Sequence, residues 1–294
     1  MVSRVNVVDQ RIRDFISRIP GFSTTVTKVL EVCNRPVTSS HDLNKVISLD
    51  PVLTGRVLKL VNSAYYALGQ EVTSMTYAII LLGLTTVKNL ALGTAIIESI
   101  GRIDSVSGLS MDDFWVHSLS VGVISRALAQ QQGIPMEEQE EYFVAGLLHD
   151  LGKIPINHCH PEEYGLTIKK AAAEKRRLFD AENASLGVDH CTVGGWIAEK
   201  WHLHRNLSEV FHHHHNPERG GIQNRHVVAI VSLANIWSNR WKVGSAGDNT
   251  PDGALMGRLQ ESLNVDQSHA ALIYTRVLED IEKAKVFLQV TRED

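Results

Sequence analysis

The sequence predicts an all-α protein. Apolar residues recur at steps of three and four along most of the 294 residues, helix-capping residues precede several of these runs, and no pair of alternating strands is evident. A chain of this length can bury a large core without disulfides or bound metal. Its 44% hydrophobic and 21% charged residues are ordinary globular values, which exclude a disordered, fibrous or low-complexity protein.

Charge and cysteine content bear on location and partners. The net charge of −4 argues against a sequence-independent grip on nucleic acid. The three cysteines (Cys33, Cys159 and Cys191) have no CxxC spacing and cannot all pair, which favours a reducing compartment. The first fifteen residues lack the apolar core of a secretory signal. The longest apolar stretch, near residues 78–84, is far shorter than the ~20 residues that span a bilayer. We therefore expect a soluble cytoplasmic protein that does not enter a membrane.

Capping residues predict the helices of the first hundred residues. Ser39 and Asp42 have capping-box spacing before a run that ends at about Ile47. Asp50 and Pro51 have the pattern of an N-cap followed by proline at the first helical position. The helix after Pro51 is expected to bury Leu53, Val57, Leu60 and Val61, and two more helices are predicted over 77–82, ending at Gly83, and from Thr85 or Thr86 to about 100.

The polar segment 101–110 (GRIDSVSGLS) is the predicted boundary between two domains, 1–109 and 110–294. Beyond it, Ser110 and Asp113 again have capping-box spacing. The helix that follows carries an apolar stripe of Phe114, His117, Val121, Ile124 and Leu128. Later helices are predicted over about 140–150, 166–179, 190–201, 207–214, 225–239 and 268–285, with a long loop at 244–253.

Fourteen histidines are unusual, and several lie at the ends or on the apolar faces of predicted helices. A lone histidine such as His117 is more often a core residue than a ligand, but Asp113 lies one turn before it on the same face. His149-Asp150 ends an apolar helix, with Gly152 placed to stop it. A carboxylate has the wrong charge for a helix C-terminus, so Asp150 indicates a nearby cation.

Two further segments add histidines to this pattern. His190 begins a helix that contains Gly194-Gly195, and a helical glycine is about 1 kcal/mol less favourable than alanine, so close packing is expected there. The four consecutive histidines at 212–215 cannot all point in one direction from a helix. Either they form a solvated polar turn, or at most two neighbouring histidines face a site. Together, the imidazoles and carboxylate suit Fe, Mn, Zn or Ni. A carboxylate beside histidines can also bridge two ions ~3.5–4 Å apart.

The order of these residues resembles the HD superfamily of metal-dependent phosphohydrolases, whose signature is similar to GLLHDLGK at 146–153. The closer resemblance is to the HDOD family, a signalling offshoot, and it covers nearly the whole chain. It rests on IPGFSTTVTKVLEVC, DLNKVISLDPVLTGRVLKLVNSAYY and AIILLGLTTVKNLAL within 19–97, and on WVHS, GLLHDLGK, ENASLGVDHCTVGGWIAEKW and HHNPE within 115–218. The resemblance implies a two-lobed helical fold with an HD-domain-like bundle, and a regulatory role without an established general catalytic activity.

The resemblance also implies one or two divalent transition-metal ions, with iron expected first and Mn, Ni or Zn as alternatives. The implied ligands are His117, His149, Asp150, His190, His214 and His215, with Lys153 as the usual lysine after the doublet and Asp113 as an additional carboxylate found in some relatives. The last ligand of the pattern is normally an aspartate, but Asn235 stands there. The set that contains His117 has therefore lost an anionic ligand, for which Asp113 could compensate. The set of Asp150 with the three later histidines is complete.

Two functions follow from this resemblance. The first is a regulatory or scaffolding module whose metal is structural or ligand-sensing and whose signalling partner, of unknown identity, acts in trans. The alternative is a metal-dependent phosphohydrolase or phosphodiesterase that acts on a nucleotide or other phosphate ester, with Asp150 and Lys153 as catalytic residues. Asn235 and the lack of Gly-Tyr-Pro after the double histidine favour the first, whereas the retained ligands favour the second. A phosphate or nucleotide ligand is compatible with both.

Overall fold

A computed structural model describes residues 4–33, 39–101 and 108–290, and within these ranges it contains helices and turns but no strand. The prediction of an all-α fold is confirmed. The helices that precede residue 102 are α1 (Arg4–Arg18), α2 (Thr24–Cys33), α3 (Ser40–Ile47), α4 (Pro51–Val61), α5 (Met75–Leu82) and α6 (Leu84–Gly101). The segment 102–107, most of the predicted domain connector, lies outside the described residues.

The helices after the connector carry the predicted histidines. They are α7 (Met111–Gln131), α8 (Met136–Leu148), α9 (Lys153–Cys159), α10 (Pro161–Ala173), α11 (Leu178–Leu186), α12 (His190–Lys200), α13 (Arg205–His213), α14 (Arg225–Trp241), α15 (Gly253–Ser262), α16 (Gln267–Ala284) and α17 (Val286–Gln289). A single 3₁₀ turn, Pro217–Arg219, separates α13 from α14 in this part of the chain.

The predicted caps of α3 and α4 are present. Ser39 and Asp42 form both halves of the capping box, and the Asp50 side chain accepts a hydrogen bond from the Leu53 amide with Pro51 at the first helical position. The face of α4 assigned to the core is buried, as predicted. At α7 the Ser110 hydroxyl accepts from the Asp113 amide.

One helix prediction was wrong, whereas the predicted loop over 244–253 is present. The segment predicted as one helix over 166–179 is divided between α10 and α11, because the chain turns at Lys175, which has a φ of +51°. The long loop predicted over 244–253 is followed by the unpredicted helix α15. Asp252 begins that helix by accepting a hydrogen bond from the Leu255 amide.

The centre of the protein is α7, which packs against α8, α14 and α16 and has the predicted apolar stripe fully inside the core. Helix α8 also packs against α6, so that the two halves of the chain share one hydrophobic core. The division into domains at residues 109 and 110 stays a prediction.

The N-terminal helix α1 packs against α9 and α12, the helix that begins at His190. Trp201, at the end of α12, donates a hydrogen bond from its indole nitrogen to the Pro20 carbonyl oxygen at 3.3 Å. Its ring also stacks on Phe22, with 4.9 Å between ring centroids. Helix α1 and the residues that follow it therefore support the position of α12 directly.

Within the described ranges, no single helix is both long and apolar enough to cross a membrane. The consecutive helices α5 and α6 reach that length and hydropathy only together, and the chain bends by 117° between them.

Candidate metal centre

Four segments of the second half place their histidines at one point in the core. His117 comes from the middle of α7, the His149-Asp150 doublet directly follows α8, and His190 is the first residue of α12. His214 and His215 directly follow α13. The structure thus brings together six of the predicted ligands, and each is less than a tenth exposed.

Asp150 lies at the centre of this cluster. Its Oδ2 atom is 3.3 Å from His149 Nε2 and 3.7 Å from His117 Nε2. Its Oδ1 atom is 3.3 Å from His190 Nε2 and 3.5 Å from His214 Nε2. One carboxylate therefore faces two groups of imidazoles, one with each oxygen, which is the arrangement expected of a carboxylate shared by two ions.

The outer nitrogens of three histidines are held by groups that can only accept a hydrogen bond. His149 Nδ1 donates to the Gly146 carbonyl oxygen at 2.7 Å, and His214 Nδ1 donates to the Val210 carbonyl oxygen at 2.9 Å. His190 Nδ1 donates to the carboxylate of Glu182 at 2.6 Å. A ring that donates from Nδ1 directs its Nε2 atom into the cluster, as metal-ligating histidines do.

His117 is oriented in the same way by α14. Its Nδ1 lies 3.2 Å from the Ser238 hydroxyl oxygen, which itself donates to the Val243 carbonyl oxygen at 3.3 Å and so accepts from the ring. Burial lowers the pKa of His117 to about 3, so the ring is neutral. Asn235 also interacts with this side chain.

Several inward-facing atoms have no hydrogen-bond partner in the described part of the chain. They are His117 Nε2, His149 Nε2 and Asp150 Oδ1. Burial opposes ionisation of Asp150, but His149 and Lys153 outweigh it and hold the pKa of that carboxyl well below its usual range. Lone pairs and a carboxylate that face one another repel unless positive charge lies between them, so these residues fit a metal ion.

The candidate ligand atoms form two groups in which all atoms lie within 4.8 Å of one another. The first consists of His117, His149 and Asp150; the second consists of His190, Cys191, His214 and His215. Neutral imidazole and carboxylate ligands suit Fe, Mn, Ni or Zn. Each group could therefore hold one divalent transition-metal ion.

Lys153 is buried beside the centre, at the start of α9. Its ammonium nitrogen is 2.7 Å from Asp150 Oδ2, and the charges of Asp150, Glu182 and Asp248 together raise the pKa of this amine against the effect of burial. Lys153 therefore neutralises the same oxygen that faces the His117 group.

Asp113 is not brought to the centre, and the expectation that it compensates for Asn235 is not supported. Its side chain is exposed in the first turn of α7, whereas His117, one turn later, is fully buried. The segment after α14 contacts the first turn of α7, where the Asp113 carbonyl oxygen accepts a hydrogen bond from the Ser245 amide at 3.0 Å. The shared helical face thus runs from the surface into the core within one turn.

Gly152 does not stop α8 in the expected way, because α8 ends at Leu148 and Gly152 has an ordinary right-handed φ of −61°. Its role is close packing: a Cβ atom at Gly152 would collide with the His190 carbonyl oxygen and the Gly194 amide nitrogen. Absence of a side chain at Gly152 therefore lets the doublet approach α12.

The close packing expected at Gly194-Gly195 is present. A Cβ atom on Gly194 would touch Phe211, and one on Gly195 would collide with the ring of His212. His212 and His213 lie outside both ligand groups of the described chain, and His212 Nδ1 donates to the Ser208 carbonyl oxygen at 2.8 Å.

Sequence reasoning missed four buried residues around the centre: Glu182, Cys191, Ser238 and Asp248. Cys191 had a signal, since it directly follows a predicted ligand. Glu182 precedes His190 by eight residues and Ser238 follows His117 by 121, so their pairing depends on the fold and not on local spacing.

The helical fold and the cluster of histidines around a central Asp150 define an HD-type helical domain. The HDOD domain family matches residues 19–217, more than half of the chain, and the chain belongs to this family.

Solved structures with the same fold include an HDOD domain protein of unknown function from Geobacter sulfurreducens. Its TM-score is 0.71 at 26% identity, over 95% of this chain and 98% of that one. A Shewanella amazonensis SB2B protein named "Putative phosphohydrolase" has a TM-score of 0.70 at 22% identity, over 94% of this chain and 98% of that one. At that identity the similarity concerns the fold alone.

Among curated proteins, an uncharacterized protein from Treponema pallidum (strain Nichols) is 24% identical over 228 residues. The match covers 76% of this chain and 43% of that protein. The chain thus spans less than half of the curated relative that it matches.

Proposed function

We propose that this protein is a regulatory HDOD module of bacterial signalling. It binds a divalent transition-metal ion in the buried His/Asp cluster and acts as a binding or scaffolding protein for a signalling partner. The sequence resemblance favours iron as this ion. We expect it to act in the cytoplasm, where the free thiols of Cys159 and Cys191 stay reduced.

The observation that carries this proposal is the enclosure of the ligands. The side chains of His117, His149, Asp150, His190 and His214 are all 0% exposed. A phosphate ester has to bring its phosphorus beside the ions of a hydrolase, and side chains this buried leave it no approach. An enclosed ion can still hold helices α7, α8, α12 and α13 together, and its occupancy can then change the surface that a partner meets.

The His117 group supports the same conclusion. Asn235 supplies a neutral amide where the family pattern has a carboxylate, and such an amide binds transition metals poorly. The Lys153 ammonium already pairs with the Asp150 oxygen that faces this group. A second ion is therefore held weakly there, and a two-metal mechanism loses one of its ions.

One observation favours hydrolysis as a second candidate function. Asp150 directs one oxygen at each ligand group, and Lys153 places a buried ammonium group beside it that could hold a phosphate oxygen. If α9 or the loop before α15 moves, this arrangement would suit a phosphate ester.

Metal analysis of the purified protein tests the proposal. We expect at least one equivalent of transition metal by mass spectrometry in the wild type, and loss of this metal in His214→Ala/His215→Ala with the helical circular dichroism unchanged. His213→Ala is the matched control, since His213 neighbours the ligands but is partly exposed and outside both groups. A wild-type protein that contains no metal and binds none when Fe²⁺, Mn²⁺ or Zn²⁺ is supplied would contradict the proposal.

A hydrolysis screen separates the two candidate functions. Phosphodiesters and nucleotides are supplied with Mn²⁺ or Fe²⁺ to the wild type and to Asp150→Ala. The regulatory proposal expects no turnover, although inorganic phosphate or a nucleotide can still bind and raise the melting temperature by mass action. Wild-type turnover that Asp150→Ala abolishes would establish the enzyme instead.

A further inference from the structure

A pocket of about 220 Å³ opens at the surface between the 3₁₀ turn, α14 and α15, and none of the metal ligands lines it. Its walls include four buried apolar residues, which are Pro217, Ala229, Leu255 and Leu259. Its rim carries three exposed charged residues, which are Glu218, Arg225 and Arg258. The function proposed above makes no use of this pocket.

We propose that the pocket is a binding site for a small ligand that combines an apolar body, of the size of two fused rings, with one anionic group. An aromatic carboxylate has this chemistry. The inference goes beyond the proposed metal binding and does not depend on it, because the two sites share no residue.

The volume and walls of the pocket suit the apolar body. A cavity of about 150 Å³ lined by apolar side chains binds benzene, so about 220 Å³ leaves room for a second fused ring. Leu255 and Leu259 lie one turn apart on α15, and Ala229 faces the same space from α14 with only a methyl group. An apolar ligand that displaces water from these walls gains the free energy of burying them.

The charges at the rim favour an anion. Arg258 Nε is 3.0 Å from Glu218 Oε1, so these two charges offset each other. Arg225 has no ion pair within the described ranges, which leaves one positive charge at the rim. A guanidinium group can bind a carboxylate through two parallel hydrogen bonds. Since the whole chain has a net charge of −4, this positive charge is a local feature of the pocket.

The elements that form the pocket are held by contacts outside it. The Gly221 amide, between the 3₁₀ turn and α14, donates a hydrogen bond to Glu209 Oε2 at 2.8 Å. Asp252 caps α15 and is itself bound by Arg177, with 3.0 Å between Nη1 and Oδ2. A pocket formed before the ligand arrives loses little conformational entropy on binding. The competing interpretation is a surface depression that holds only water.

Two ligands of the same shape that differ in charge distinguish these interpretations. We expect indole-3-acetate to bind the full-length protein with a Kd of about 0.1–1 mM in a ligand-observed nuclear magnetic resonance titration, the range expected for so small a ligand. Indole-3-acetamide, which lacks the charge, should bind about three- to tenfold more weakly. Arg225→Gln should weaken the binding of indole-3-acetate by the same factor and leave the binding of the amide unchanged.

The matched control is Arg219→Gln, since Arg219 is an exposed arginine of the 3₁₀ turn that does not line the pocket, and this variant should bind both ligands as the wild type does. Ala229→Leu should fill the pocket and abolish the binding of both ligands; if it fails to fold, Arg225→Gln still decides the result. A folded wild-type protein that does not bind indole-3-acetate, or that binds it no better than Arg225→Gln does, would overturn the inference. Either result would leave the proposed metal binding intact, because metal analysis tests that separately.

Discussion

Replacement of Glu182 by glutamine tests whether the groups around the histidines prepare them for metal. Glu182 is fully buried, and its Oε2 atom accepts hydrogen bonds from both the backbone amide of His190 at 3.0 Å and the ring Nδ1 at 2.6 Å. Its Oε1 atom accepts from the Tyr164 hydroxyl at 2.7 Å. The carboxylate therefore fixes the ring, the tautomer and the first turn of α12 together.

Glu182→Gln keeps these hydrogen bonds and removes only the charge. The amide oxygen can accept from both His190 donors, while the amide NH₂ can donate to the Tyr164 hydroxyl, which accepts as readily as it donates. The fold should therefore survive. Loss of a carboxylate behind a ligating histidine typically weakens metal binding by about 10–100-fold, or about 1.4–2.7 kcal/mol.

The assay is a Zn²⁺ titration in competition with a chelator, with thermal melts of the metal-free proteins to confirm folding. Tyr164→Phe is the matched control, since it removes one hydrogen bond to the same carboxylate but leaves the charge, and its affinity should stay close to that of the wild type. Glu182→Gln with wild-type affinity and a native melt would refute the reasoning that this carboxylate prepares His190.

Three other substitutions test the packing and the incomplete ligand group. Gly152→Ala should destabilise the protein by about 3 kcal/mol or more and reduce its metal content, because the new Cβ atom would collide with backbone atoms of α12. The control Gly55→Ala has open space around the new Cβ atom and should melt at or above the wild-type temperature. Val57→Ala should lower the free energy of unfolding by about 2 kcal/mol and the melting temperature by about 4–8 °C. The control Val52→Ala, at an exposed position of the same helix, should change the melting temperature little. Equal melting temperatures for the two variants would show that the buried face of α4 is misassigned. Asn235→Asp should restore an anion beside His117 and raise the metal stoichiometry by mass spectrometry, and an unchanged stoichiometry would exclude an ion on that side.

Local chemistry made much of the fold predictable. The cap at Ser39 and the Asp50-Pro51 start of α4 depend on atoms within one turn, and the apolar stripe of α7 follows from helical spacing, so each could be predicted without the tertiary structure. The single helix expected over 166–179 was wrong because both α10 and α11 are apolar at helical spacing. Only the turn at Lys175, with its positive φ, separates them, and no glycine or proline marks it.

The residue types able to bind metal could be read from the sequence, but spacing along the chain could not show which of these residues share one site. Asp113 and His117 share a helical face by spacing alone, yet the surface of the protein passes between them, and only His117 reaches the interior. The resemblance to HDOD proteins separated His214 and His215 from their two neighbours. No rule of local spacing could have made that choice, because it depends on how α13 packs against α12.

By itself, the sequence determined the all-α class, the caps, the periodic core faces and the residues able to bind metal, since side-chain chemistry and helical spacing are properties of the chain. The tertiary structure alone decided which of these residues share one buried point. It set Glu182 behind His190, Ser238 behind His117 and Cys191 beside His214. Partners that are distant in the chain meet only when helices pack, and the orientation of an imidazole lone pair depends on the atom that packing places behind it.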